Sequence, residues 1–136
     1  MLFDRQNTIQ TPEWKFFVEL KDSTTIERIE DFVKEVENAI EGNSRIIESF
    51  DGFNANGKEG KSLVFQIQLP LLVHGHSIIL ESSEDQLYMS VANFYELVLC
   101  LPCNIIKTEV KGYFDCSKRT LYVIMPIAVI FNISIG

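Results

Sequence analysis

The sequence predicts a mainly-β protein, an antiparallel sandwich of seven or eight short strands with one amphipathic helix inserted. Three observations carry this. Short apolar segments recur at roughly ten-residue spacing with turn residues between them. One of them, 63–69, alternates with a period of two: Leu63, Phe65, Ile67 and Leu69 against Val64, Gln66 and Gln68. A single stretch, 24–41, switches to helical spacing.

The elements follow in order. Residues 1–12 are polar and irregular and read as a flexible N-terminal segment; 13–136 read as one domain. Pro12 opens a first strand over 13–20, where Trp14, Phe16, Phe17 and Val18 suit a pleated surface. Ile26, Ile29, Phe32, Val33, Val36, Ala39 and Ile40 then recur at steps of three and four, which lines one face of a helix over 24–41. Thr24 and Glu27 form a capping-box pair, and Gly42 stands where the helix should stop. Opposite its apolar stripe the helix carries Glu27, Glu30, Asp31, Glu35, Glu37 and Glu41 against Arg28 and Lys34. Such a face is solvated or docks a partner. Residues 43–62, with Gly52, Asn54, Asn56-Gly57 and Gly60, predict a mobile loop that buries little. Pro70 ends the strand after it, and further strands are expected at 77–81, 87–92, 95–101, 110–116 and 120–125, with an eighth at 128–133.

Length and charge narrow the function. A chain of 136 residues with 12 basic and 19 acidic side chains has a net charge of -7. It suits one domain that buries roughly 68% of its extended surface, enough to fold without a disulfide or structural metal. No basic cluster is present, so neither a nucleic-acid footprint nor an anionic membrane surface is expected. The first fifteen residues lack an apolar core and a cleavage site, which predicts retention inside the cell. The apolar run 121–135 contains Pro126, Asn132 and Ser134 and reads as strand rather than membrane span.

Four constellations could carry chemistry. Gly52 and Gly57-Lys58 match the start of a phosphate-binding loop, but Glu59 replaces the magnesium-binding hydroxyl and a strand replaces the required helix. Cys100 and Cys103 have redox Cys-x-x-Cys spacing, at a strand end without a following amphipathic helix. With Cys116 and His74 or His76 they could make up a four-coordinate zinc set, though no second paired motif supports it. His74-Gly75-His76 otherwise reads as turn. No catalytic residue, metal site or cofactor is assigned. Three cysteines, an odd number, fit free thiols in a reducing compartment.

Four segments, LVFQIQLP at 63–70, SIILESSEDQLYMSV at 77–91, YELVLCLP at 95–102 and GYFDCSKRTLYVIMPI at 112–127, resemble, in that order, the C-terminal CS-like domain of the PIH family. The segment PEWKFFVEL at 12–20 looks like that family's first strand. The helix 24–41 and the glycine loop stand where members commonly have a shorter linker, and the family's phosphopeptide-reading N-terminal domain has no counterpart here, as in a divergent or truncated member.

The resemblance implies a seven-stranded CS-type, immunoglobulin-like sandwich, 13–136, that binds proteins and is not an enzyme. It implies a co-chaperone adaptor, held through an extended segment of a tetratricopeptide-repeat co-chaperone. Through that partner it would join heat-shock protein 90 and RuvB-like ATPases, in a complex that matures ribonucleoproteins, kinases and dynein arms in the cytoplasm and nucleus. The implied mode is strand addition. Tyr122 and Ile124 are the candidate partner-binding residues, because they alternate with Leu121, Val123 and Met125 and one of those faces must point away from the core. Two alternatives stand beside this: a thiol oxidoreductase using Cys100 and Cys103, and a holdase-like binder using the apolar tail 128–136.

Overall fold

The computed structural model describes residues 8–19, 30, 31, 33, 34, 36–38, 50, 51, 53, 54, 61–72 and 77–128. Among them are seven strands: β1 Trp14–Glu19, β2 Ser62–Gln68, β3 Ile78–Ser82, β4 Gln86–Val91, β5 Tyr95–Cys100, β6 Lys111–Asp115 and β7 Thr120–Pro126. They form a four-stranded sheet in the order β1-β2-β7-β6 and a three-stranded sheet in the order β3-β4-β5, with every neighbouring pair antiparallel. The expected sandwich is present. An eighth strand at 128–133 cannot be placed: Ala128 is not in a strand, and the rest lies outside the described residues.

Alternation builds the core. Leu63, Phe65 and Ile67 of β2 and Leu121, Val123 and Met125 of β7 face Leu87, Met89 and Val91 of β4 and Tyr95, Leu97 and Leu99 of β5. Unlike β3 and β5, β7 is buried along its whole length. Its other face meets a second cluster, where Phe17, Val64, Tyr122 and Ile124 pack with Val36, and Tyr113 lies against them. The described residues of the helical stretch, 30, 31, 33, 34 and 36–38, are α-helical, and Val36 puts its side chain on the outer face of the larger sheet. The remainder of the helix expected over 24–41 lies outside the described residues.

Two stretches make contacts that local patterning does not indicate. The glycine-rich stretch 43–62 does not bury little throughout, because Phe50 and Phe53 pack against the core, Phe50 lying 5.0 Å from both Trp14 and Phe16. Aromatic area repays the entropy of ordering that part of the loop; Ser62 belongs to β2. The N-terminal segment 1–12 is engaged at Gln10 and Pro12. Pro12 is buried. Gln10 donates its amide to the Phe94 carbonyl at 2.9 Å and accepts from the Glu96 amide at 3.0 Å. Residues 1–7 lie outside the described residues.

The turns have identifiable causes. Between β4 and β5 the Phe94 amide donates to the Val91 carbonyl at 3.0 Å, and Asn93 takes φ 70°, as the third position of a type II turn requires. Between β6 and β7, Asp115 Oδ1 accepts from the Ser117 amide at 3.0 Å, the Ser117 hydroxyl at 2.7 Å and the Lys118 amide at 3.2 Å. The Ser117 hydroxyl bond most of all holds the Asp115 carboxyl below the usual carboxylate range; burial pushes it up, and the Lys118 and Ser117 amides and the Lys118 charge add to the lowering. A depressed folded pKa means that this turn's contribution is complete above the ordinary aspartate range and is lost as pH falls through the lowered folded value. Carboxyl-carbon NMR titration is expected to show Asp115 with a midpoint below that of a model aspartate, and Ser117→Ala to move it back up.

Candidate functional site

In a β-sandwich the rims of the sheets are where an extended partner can add. The larger sheet ends in β1 and β6, the smaller in β3 and β5. The β5 rim is partly taken, because Gln10, just before β1, bridges Tyr95. On β1, Lys15 and Val18, and on β6, Lys111 and Tyr113, have further contacts of their own. That leaves β3.

Hydrogen-bond parity fixes what β3 offers. The Glu96 amide points outward to Gln10, so Tyr95, Leu97 and Leu99 bond across to Val91, Met89 and Leu87. Gln86, Tyr88 and Ser90 then bond to the β3 side, in agreement with the 3.0 Å bond from the Ser83 amide to the Gln86 carbonyl. Ile79 and Glu81 are therefore used by β4, and the backbone amides and carbonyls of Ile78, Leu80 and Ser82 point away from the sheet. Among the described residues no strand pairs with them. Ile78 and Leu80 are half-buried against the core, as are Phe114 and Val110. Gly112 of β6 comes close: a Cβ there would lie 3.0 Å from Leu80 Cδ2. The β3 rim thus combines backbone groups left unpaired by the described strands with apolar side chains that an added strand would cover.

The residues singled out from the sequence fall elsewhere. Tyr122 and Ile124 do lie opposite Leu121, Val123 and Met125, yet they are only 7% and 1% exposed, under Val36. Burial first, then the charges of Asp115, Glu37 and Tyr113, pushes the Tyr122 hydroxyl up, which keeps it neutral. Contact with a partner through this pair requires the helical segment to move. Cys100 is exposed at the end of β5 and Cys103 is half-buried. Among the described residues no α-helix starts after Cys103, only a single 3-10 turn at Lys107–Glu109, and burial raises the Cys103 thiol pKa, the opposite of what an attacking thiolate needs. Cys116 is exposed in the β6–β7 turn. His74, His76, Gly52 and Gly57-Lys58 lie outside the described residues. Among the described residues no three histidine, cysteine or acidic groups come together to hold a metal. No described helix is long and apolar enough to cross a membrane.

The β3 edge escaped the sequence reading because an edge is a property of strand order, which local patterning does not encode. The sequence model of one family, described as the PIH1 CS-like domain, matches residues 46–128, more than half of the chain. No curated protein matches it.

Proposed function

The chain belongs to the PIH1 CS-like domain family, and from that membership we propose that it is an adaptor that takes up an extended segment of a partner protein along β3. A PIH1 CS-like domain is a protein-interaction fold. The proposed partner is a tetratricopeptide-repeat co-chaperone, which would connect this chain to heat-shock protein 90 and RuvB-like ATPases in a cytoplasmic and nuclear complex that matures multiprotein clients. No enzymatic step and no cofactor belong to this reading.

The observation that supports it most is the β3 rim. Backbone groups at Ile78, Leu80 and Ser82 supply affinity independent of side chains, while Leu80 and Phe114 supply selectivity for apolar guest side chains. The test is capture of a tetratricopeptide-repeat co-chaperone by the immobilised chain, with and without the co-chaperone's C-terminal tail. Binding that depends on the tail is the expected result. A well-folded chain that captures neither form overturns the reading.

A further inference from the structure

The two sheets treat their outer faces differently. The larger one is covered where Val36 meets Tyr122 and Ile124. The smaller one carries large apolar side chains in the open: Ile79 is 48% and Val98 57% exposed. Register places Glu81, Tyr88 and Val98 in one row across β3, β4 and β5, and Ile79, Ser90 and Glu96 in the next. Ile79 and Val98 therefore occupy one diagonal of the face and Glu81 and Glu96 the other. Between them lies Tyr88, whose hydroxyl donates to Glu96 Oε2 at 3.4 Å. A groove of about 250 Å³ opens at the end of this face, lined by Glu81, Ser83, Gln86, Tyr88 and Val98 among others.

Charge decides what fits. From residue 62 to 106 the chain has no lysine or arginine, while Glu81, Glu84, Asp85 and Glu96 all fall on β3–β5 or their turns. A second copy of the chain would bring the same negative face, on a protein already at -7. We propose that this face docks an extended protein segment whose residues on one side, every second one, are alternately lysine or arginine and apolar. Same-side residues of such a segment repeat every ~6.7 Å, the spacing of the two rows. Its cations meet Glu81 and Glu96 and the Tyr88 ring, and its apolar residues cover Ile79 and Val98. This face is separate from the β3 rim, so it gives an adaptor a second contact.

The probe is an acetylated nine-residue peptide in which lysine and valine alternate at the odd positions and serine fills the even ones, titrated into the ¹⁵N-labelled chain beside a twin with glutamate for lysine. Shift changes are expected on β3, β4 and β5 for the lysine peptide alone. Affinity should fall at least about tenfold in Glu81→Lys with Glu96→Lys and about threefold in Val98→Ser. Glu30→Lys with Glu37→Lys makes the same charge change on the helical segment and should alter affinity less than about twofold. Equal loss in both double variants, shift changes centred on another surface, or concentration-dependent dimerisation through Val98 would each overturn the proposal.

Discussion

Phe65→Ala is expected to cost the fold about 3–5 kcal/mol, the range for removing a buried phenylalanine, out of a total of about 5–15 kcal/mol. Phe65 is fully buried on β2, between Phe16 of β1 and Val123 of β7. Its ring stacks on Phe16 at 5.6 Å, tilts against Trp14 at 5.9 Å and meets Phe50 edge-on at 6.2 Å. One truncation therefore opens a cavity where β1, β2 and the segment around Phe50 and Phe53 converge. Urea unfolding followed by the fluorescence of Trp14, the only tryptophan, reads the loss at the place it occurs. With a slope of about 1–3 kcal/mol per molar, the midpoint should drop by at least about 1 M. A change below about 1 kcal/mol would mean that these rings do not pack as a unit.

How far the sequence reveals this molecule depends on the range of the interaction concerned. The alternation of Leu63, Phe65 and Ile67 against Val64 and Gln66 is local, and it correctly marks β2 and its core face. The same logic applied to β7 is incomplete. Alternation separates Leu121, Val123 and Met125 from Tyr122 and Ile124, but it does not reveal that both faces are buried, because the cover comes from Val36, some ninety residues earlier. Likewise, the glycines of 52–60 mask the packing of Phe50 and Phe53, and a polar N-terminus gives no hint that Gln10 bridges Tyr95. Each miss is a pairing between segments distant in sequence. The gap in basic residues between 62 and 106 is readable from the sequence, yet it acquires meaning only once β3, β4 and β5 share one uncovered sheet.

The proposed docking edge can be tested without dismantling the sandwich, because parity separates the two sides of β3. Leu80 turns its amide away from β4, so Leu80→Pro removes an outward donor and leaves the ladder with β4 intact, the one setting in which a strand accepts proline. Its cost to the fold should be close to that of Leu80→Ala, about 1–2 kcal/mol for a half-buried leucine. Their effects on binding should differ. Leu80→Ala keeps the donor and should retain most of the capture of the co-chaperone tail, whereas Leu80→Pro should weaken it at least about tenfold, or 1.4 kcal/mol. Ile79→Pro supplies the contrast, since its amide faces β4 and its loss should unfold the hairpin. Equal capture by folded Leu80→Pro and Leu80→Ala would remove β3 as the acceptor and move attention to Tyr122 and Ile124. There, Val36→Asp should then raise capture by driving the helical segment off the sheet, an effect that strand addition at β3 does not produce.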